Sequence, residues 1–235
     1  VEQPENTIAA FHRAVELGAD AIELDVRLSR DGVPVVIHDE TIDRVSSERG
    51  RVADLTADQL ARIPVGTTFG APALKEVLRQ VDLPLLVELK EVDAQDEVAG
   101  VILAADAADR VVLASEHDAA LHAFRRPPFL VGASAADVLQ LWLAPLRGLP
   151  EPRVAAYSVP HRHKGILPVP TRRFVRSAHS LGAAVHVWTI DDPATARALW
   201  ARGVNGIITN DSRRLLEVPV PPGTASAYAS KQSEQ

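Results

Sequence analysis

The stretch Gly18-Ala19-Asp20-Ala21-Ile22-Glu23-Leu24-Asp25-Val26, followed by Arg30-Asp31-Gly32 and then Pro34-Val35-Val36-Ile37-His38-Asp39, decides how the chain is read. Successive side chains of a strand point to opposite faces, so Glu23 and Asp25 share one face while Ile22, Leu24 and Val26 share the other. Two carboxylates on one face of an otherwise apolar strand repel each other and are costly to bury unless a cation neutralises them. Oxygen donors at that spacing suit a hard divalent ion. Ion pairing with neighbouring arginines is the alternative that this strand alone leaves open.

The span between Val26 and Pro34 contains a turn signal and is too short for a parallel crossover, so the second strand returns antiparallel. With the turn centred on Asp31, Val35 comes back opposite Arg27, and His38 and Asp39 arrive beside Leu24 and Glu23, within cross-strand reach. That register gathers an imidazole and three carboxylates. A lone histidine is ordinarily a satisfied core residue, but this one has acidic company.

Helix and strand alternate on either side of this hairpin. Asn6 or Thr7 can cap a helix whose apolar residues Ile8, Phe11 and Val15 share a face, with Gly18 as its C-terminal signal. Glu40 to Ala71 is polar and turn-rich, with a short helix at Ala57 to Ile63, and reads as an insertion on the loop side. Beyond it, helix Ala73 to Gln80 precedes strand Leu85 to Glu88, helix Ala94 to Ala107 precedes Val111 to Ala114, and helix Ala119 to Phe124 precedes Phe129 to Val131. Helix Ala135 to Trp142 leads to Val154 to Tyr157, Thr171 to Leu181 to Val185 to Trp188, and Pro193 to Arg202 to Gly206 to Thr209. Such alternation means parallel strands with helices outside, here an α/β fold of the (β/α)8 TIM-barrel type. The parallel strands number seven, without the return strand Pro34 to His38, whereas a closed barrel has eight. The first strand is therefore expected upstream of Val1, and without it the Ile22 and Ile207 strands are open edges.

The chain has 235 residues, 46% of them hydrophobic and 24% charged, which fits one domain of this type. Residues 1–216 are expected to form it, with 217–235 as a loose tail rich in Pro, Ser, Ala and Gln. A net charge of −6 and the lack of any Lys/Arg block argue against nucleic acid or an anionic membrane as the main partner and leave room for a small anionic substrate. No apolar run reaches the roughly 18 residues that span a bilayer. There is no cysteine, hence no disulfide framework or thiol chemistry, and the compartment stays open with the cytoplasm favoured.

Parity also orders the third element. Leu86, Glu88 and Lys90 share one face, so Glu88 and Lys90 point together at the C-terminal end of their strand, where polar residues of a barrel read as catalytic. A simple Glu88–Lys90 ion pair is the alternative. His38, with an ordinary pKa of about 6.5, is the candidate general acid or base. Asp39 either orients it or caps the following loop, the latter being the commoner use of Asp at a turn start. Trp188 and His186 share a face; Trp188 stands nearer the strand end as a candidate pocket wall, and His186 reads as a core residue. His161, Arg162 and Lys164, in the loop Pro160 to Gly165, are candidate cations for a phosphodiester or else a solvated surface loop. Ser115, Glu116 and His117 end another strand without a spacing signal of their own.

Residues 4–39, reading Pro-Glu-Asn-Thr, an amphipathic helix, Gly-Ala-Asp-Ala-Ile-Glu-Leu-Asp-Val, Asp-Gly and Val-Val-Ile-His-Asp, resemble the glycerophosphodiester phosphodiesterase family. Pro84-Leu85-Leu86-Val87-Glu88-Leu89-Lys90, Val185-His186-Val187-Trp188-Thr189 and Gly203-Val204-Asn205-Gly206-Ile207-Ile208-Thr209-Asn210-Asp211 extend the resemblance to about Leu216. It implies that Glu23, Asp25 and Glu88 hold one divalent metal ion, Ca2+ or Mg2+, and that Lys90 contacts the phosphate. The implied reaction is hydrolysis of a glycerophosphodiester to an alcohol and glycerol 3-phosphate, with a lysophospholipid or another phosphodiester as the alternative substrate. The family also places a strand ending in His-Arg-Gly shortly before Pro-Glu-Asn-Thr, where only Val1-Glu2-Gln3 stand here. That difference keeps a third expectation open, a degenerate domain that binds phosphodiesters without turning them over.

Overall fold

Thr7 begins the first helix by accepting a hydrogen bond from the Ala10 amide, which satisfies one of the amides that a helix start leaves unpaired. The helix, α1 (Ile8–Leu17), buries Phe11 and stops at Gly18. The computed structural model describes residues 2–66, 68–163 and 165–220. By its internal contacts the chain divides into two compact units, Val1–Leu130 and Val131–Gln235.

In the first unit, β1 (Ile22–Leu28) pairs antiparallel with β2 (Pro34–Val36) in the register Val26–Val36, Arg27–Val35 and Leu28–Pro34. This is the register expected from the turn. Gly32 adopts φ 72°, a left-handed conformation that a Cβ disfavours, and donates its amide to the Ser29 carbonyl. The segment that follows carries α2 (Ala57–Arg62) and the two-stranded ribbon β3 (Pro64–Val65) and β4 (Thr68–Phe69). Thr56 and Gln59 start α2 with a reciprocal capping box. The insertion has a small core of its own, in which Ile42, Val52, Leu60, Ile63 and Ala71 pack with Val35 and Ile37.

The chain continues through α3 (Leu74–Gln80), β5 (Leu85–Leu89), α4 (Gln95–Ala104), β6 (Val111–Ala114) and β7 (Leu130–Val131). The sheet runs β2-β1-β5-β6, with β7 last in the order where the first unit ends. β1, β5 and β6 are parallel neighbours. Their residues facing away from the acidic positions are apolar and withdrawn from water: Leu24, Val26, Val87 and Leu113 are fully buried. Burial on both faces is what a parallel sheet covered by helices requires. The expected helix 94–107 is shorter than its apolar pattern, because Asp106 adopts φ 51° and the chain turns back. The expected helix 119–124 is a 3-10 turn over Asp118–Phe124.

The second unit holds α5 (Ala135–Trp142), α6 (Ala144–Arg147), β8 (Ala156–Pro160), the ribbon β9 (Arg162–His163) and β10 (Leu167–Pro168), α7 (Arg172–Ser180), β11 (Ala184–Trp188), α8 (Pro193–Trp200), β12 (Gly206–Ile207) and α9 (Ser212–Leu216). Its parallel sheet runs β12-β11-β8. β8 starts two residues later than its apolar run and continues to Pro160, because its ladder matches β11 residue for residue from Ala184 to Trp188. The core is built on Tyr157, Phe174, Val185, Val187, Leu199 and Trp200, with Tyr157 and Phe174 meeting edge to face at 5.6 Å. Among the described residues no helix is long and apolar enough to cross a membrane.

Candidate active site

β1 and β5 lie in parallel register with Asp25 beside Glu88 and Glu23 beside Leu86. The pleat therefore turns Glu23, Asp25 and Glu88 to one side, and an oxygen of each lies within 4.8 Å of the others. Lys90, two residues beyond Glu88, brings its ammonium to 2.7 Å from Glu88 Oε1 and 2.9 Å from Asp25 Oδ1. The ion-pair alternative is thus present in part, with a lysine rather than an arginine as the cation. Its single charge faces three carboxyl groups.

Asn6 is the residue that sequence reasoning missed. Its amide Nδ2 donates to Asp25 Oδ2 at 2.9 Å, and its Oδ1 accepts from the Asp25 amide at 3.3 Å. Asn6 sits at φ 56°, a conformation that Asn tolerates better than most residues. The signal was present as two adjacent candidates, Asn6 and Thr7, for one helix cap. Thr7 takes the cap and frees Asn6 to bind β1.

The electrostatics follow from this crowding. Burial first, then the charges of Asp25 and Glu88, push the Glu23 carboxyl up to about 8, with Lys90 opposing. For Lys90, burial acts to lower the pKa, but Asp25 and Glu88 outweigh it and hold the ammonium above its ordinary value. Three converging carboxyl groups, facing one lysine charge, are a donor set that a hard cation fits, because the ion adds positive charge where burial and like charges disfavour ionisation. The site can hold a metal ion.

His38 follows directly on the residue that ties the return strand to this cluster: the Ile37 amide donates to the Asp25 carbonyl at 3.0 Å. Its own carbonyl accepts from Arg27 Nε at 2.9 Å. The imidazole Nδ1 lies 2.6 Å from Asp39 Oδ1, so Asp39 contacts His38 rather than capping the loop. A hydrogen bond from Arg44 first, and the His38 contact after it, hold the Asp39 carboxyl down at about 2. An ionised carboxylate only accepts, so Nδ1 carries the proton and Nε2 is the nitrogen left for chemistry.

The remaining candidates divide. Ser115 is buried and donates to the Leu89 carbonyl at 2.8 Å while accepting from the His117 amide, which makes it a brace between strand ends; Glu116 and His117 are exposed. Trp188, His161 and Arg162 belong to the second unit. Trp188 ends β11 at 38% exposure and its carbonyl accepts from the His161 amide. Burial, then Arg162 and Arg202, lower the His161 pKa, and Arg162 donates to the Ile166 carbonyl. Lys164 lies outside the described residues. His186 is the core histidine expected, with burial pushing its pKa down to about 4.

Parallel strands alternating with helices carry clustered carboxylates and a lysine on β1 and β5, and the relatives below make the chain a phosphoric diester hydrolase on an α/β scaffold. The model of the glycerophosphoryl diester phosphodiesterase family matches residues 2–214, and the chain belongs to that family. It is 33% identical over 235 residues to the glycerophosphodiester phosphodiesterase of Caldanaerobacter subterraneus subsp. tengcongensis, with 92% of each chain covered. Among solved structures it is similar to the glycerophosphodiester phosphodiesterase of Thermotoga maritima, at TM-score 0.71 and 27% identity over 92% of each chain. A phosphodiesterase of Oleispira antarctica, solved in complex with the product sn-glycerol-3-phosphate, matches at TM-score 0.75 and 21% identity over 92% of this chain and 91% of that one. The fold class shared with these structures is the (β/α)8 barrel.

Proposed function

We propose that this chain hydrolyses glycerophosphodiesters to an alcohol and glycerol 3-phosphate with one divalent ion, Ca2+ or Mg2+, held by Glu23, Asp25 and Glu88, and that residues 1–216 are the catalytic domain. The observation that carries the reading is the excess of carboxylate over Lys90 at one point of the β1–β5 pair, where an oxygen of each of Glu23, Asp25 and Glu88 lies within 4.8 Å of the others. A divalent ion bound there supplies the positive charge that offsets the charge of the phosphodiester.

The chain's own residues do the rest. Lys90 gives one N–H to Asp25 and one to Glu88, which leaves its third for a phosphate oxygen. Asn6 keeps Asp25 facing the cluster. Asp39 keeps the His38 Nδ1 proton in place, so that Nε2 exchanges protons with the reacting groups. Water adds to phosphorus and passes a proton to solvent, the P–O bond to the head-group alcohol breaks, and the alcohol takes the proton that His38 Nε2 carries in the imidazolium form, which solvent then restores.

The test is release of glycerol 3-phosphate from glycerophosphocholine by the chelator-treated chain, with Ca2+ or Mg2+ added back. Release that returns with either ion is the expected result. No release with any divalent ion, or full release in chelator, overturns the proposal.

A further inference from the structure

Arg44 lies in the insertion, away from any strand end, and nothing in its local sequence marks it. Its guanidinium nevertheless grips two acidic residues at once. Nη1 and Nη2 donate to Glu5 Oε2 and Oε1 at 2.8 and 2.7 Å, and Nε donates to Asp39 Oδ2 at 2.5 Å. Asp39 turns its other oxygen to His38 Nδ1 at 2.6 Å. A continuous chain of charge-assisted bonds therefore runs Glu5–Arg44–Asp39–His38. Glu5 immediately precedes Asn6, the residue that holds Asp25, so the same guanidinium ties together the loops that carry Asn6 and His38.

Stability does not account for this arrangement. Arg44 and Glu5 are 50% and 43% exposed at the side chain, and ion pairs of that kind contribute little to folding. Orientation does account for it. The His38 side chain is itself 51% exposed, and a ring in that position depends on its hydrogen bond for its direction. Asp39 can supply that bond only while its own carboxylate plane is held. Of the basic side chains, only the planar arginine fork binds one carboxylate through two nitrogens and another through Nε at the same time; a lysine, with one nitrogen, does not.

We propose that Arg44 is a positioning residue, which by clamping Asp39 against Glu5 fixes the tautomer and direction of His38. The proposal rests on the phosphodiesterase reading for its effect on turnover, but not for its effect on the imidazole. Arg44 touches no reacting atom. Its loss therefore acts on the rate after binding rather than on substrate affinity.

The experiment uses the full chain labelled with 15N-histidine, the His38 signals being assigned by their loss in His38→Gln. In the unaltered chain the neutral form of the His38 ring shows a protonated Nδ1 and an unprotonated Nε2. In Arg44→Gln these signals move toward the average of two exchanging tautomers, while Arg49→Gln, which removes an exposed partner of Asp43, leaves them in place. Turnover of glycerophosphocholine falls on the order of 10- to 100-fold in kcat for Arg44→Gln, with KM changed less than about threefold, as a misdirected group costs. Arg44→Lys recovers only part of the loss. In an Asp39→Asn background Arg44→Gln costs less than about threefold more, because both act through one route. Unmoved His38 signals, or a loss that adds in full to that of Asp39→Asn, overturns the proposal. If the unaltered chain releases no glycerol 3-phosphate, the activity reading fails by itself, and the histidine spectra still decide the role of Arg44, with Arg44→Lys standing in should Arg44→Gln not fold.

Discussion

Glu23 in the first unit and His186 in the second are both ionisable side chains on parallel strands, both partly buried, and they come to opposite ends. Burial favours the neutral form of each, pushing Glu23 up to about 8 and His186 down to about 4. The difference lies in their neighbours. Glu23 has Asp25 and Glu88 beside it, so one cation relieves three groups together. Burial lowers His186, and the ring is packed so closely against β12 that a Cβ on Gly206 would come within 2.8 Å of Cδ2. A perturbed titratable group is thus a weak sign of a site by itself. Like-charged company is what turns a buried acid into a place for a metal ion.

Four measurements test the contrast between the two residues. The largest effect is expected from Glu23→Ala and Glu88→Ala, each of which removes a donor and should lower metal-dependent turnover by more than about 10³-fold, or ~4 kcal/mol of transition-state stabilisation, with little loss of folded protein. Undiminished turnover in either variant would take that residue out of the site. His38→Ala should cost ~10²–10⁴ in turnover and spare the metal-induced rise in Tm; loss of that rise would make His38 a structural residue.

The third effect is thermodynamic. The Glu23 pKa is raised from 4.5 to about 8 by folding, so the folded state holds a proton that the unfolded chain has already released. That contribution is complete below about 4.5 and is lost as pH climbs toward 8. A divalent ion removes the penalty, so its effect on Tm should grow with pH, reaching roughly 5–10 °C at a hundredfold excess over Kd near pH 8 and much less at pH 5. Equal shifts at both pH values, followed by scanning calorimetry, would show that the carboxyl cluster is not where the ion binds.

The smallest effect belongs to His186. Its pKa is lowered from 6.5 to about 4, so the unfolded chain binds the proton first, and the contribution of the neutral ring, complete above about 6.5, is lost as pH falls toward 4. His186→Gln should flatten that acid-side decline in Tm by a few °C and leave turnover within about twofold. A large loss of turnover would erase the contrast with Glu23.

Much of the fold was legible in the chain because its signals are local. The turn at Asp31 and the alternation around it set the β1–β2 register, which the structure shows with Val35 opposite Arg27. The helix Ala135–Trp142 and the strand Val111–Ala114 match their sequence patterns to the residue. What was not legible depends on partners. β8 runs on to Pro160 because β11 offers it a ladder, and the ribbons β3–β4 and β9–β10 are too short to show an alternation. That Glu23, Asp25 and Glu88 converge, with Lys90 beside them, was legible because strand parity is a local property. Asn6 was visible only as a surplus cap, and Arg44 carried no signal at all, since its role is created by the distance between two loops.

By itself, the order of residues determined which side chains share a strand face and where the hydrophobic rhythm changes from helix to strand, since both follow from the geometry of the backbone over a few residues. The tertiary structure alone decided that Lys90 divides its charge between Asp25 and Glu88, that Asn6 rather than a cap holds β1, and that Arg44 joins Glu5 to Asp39. Those pairings depend on through-space distances of a few ångströms between segments far apart in the chain. Coulombic and hydrogen-bond energies act on such distances, and no local pattern of residues encodes them.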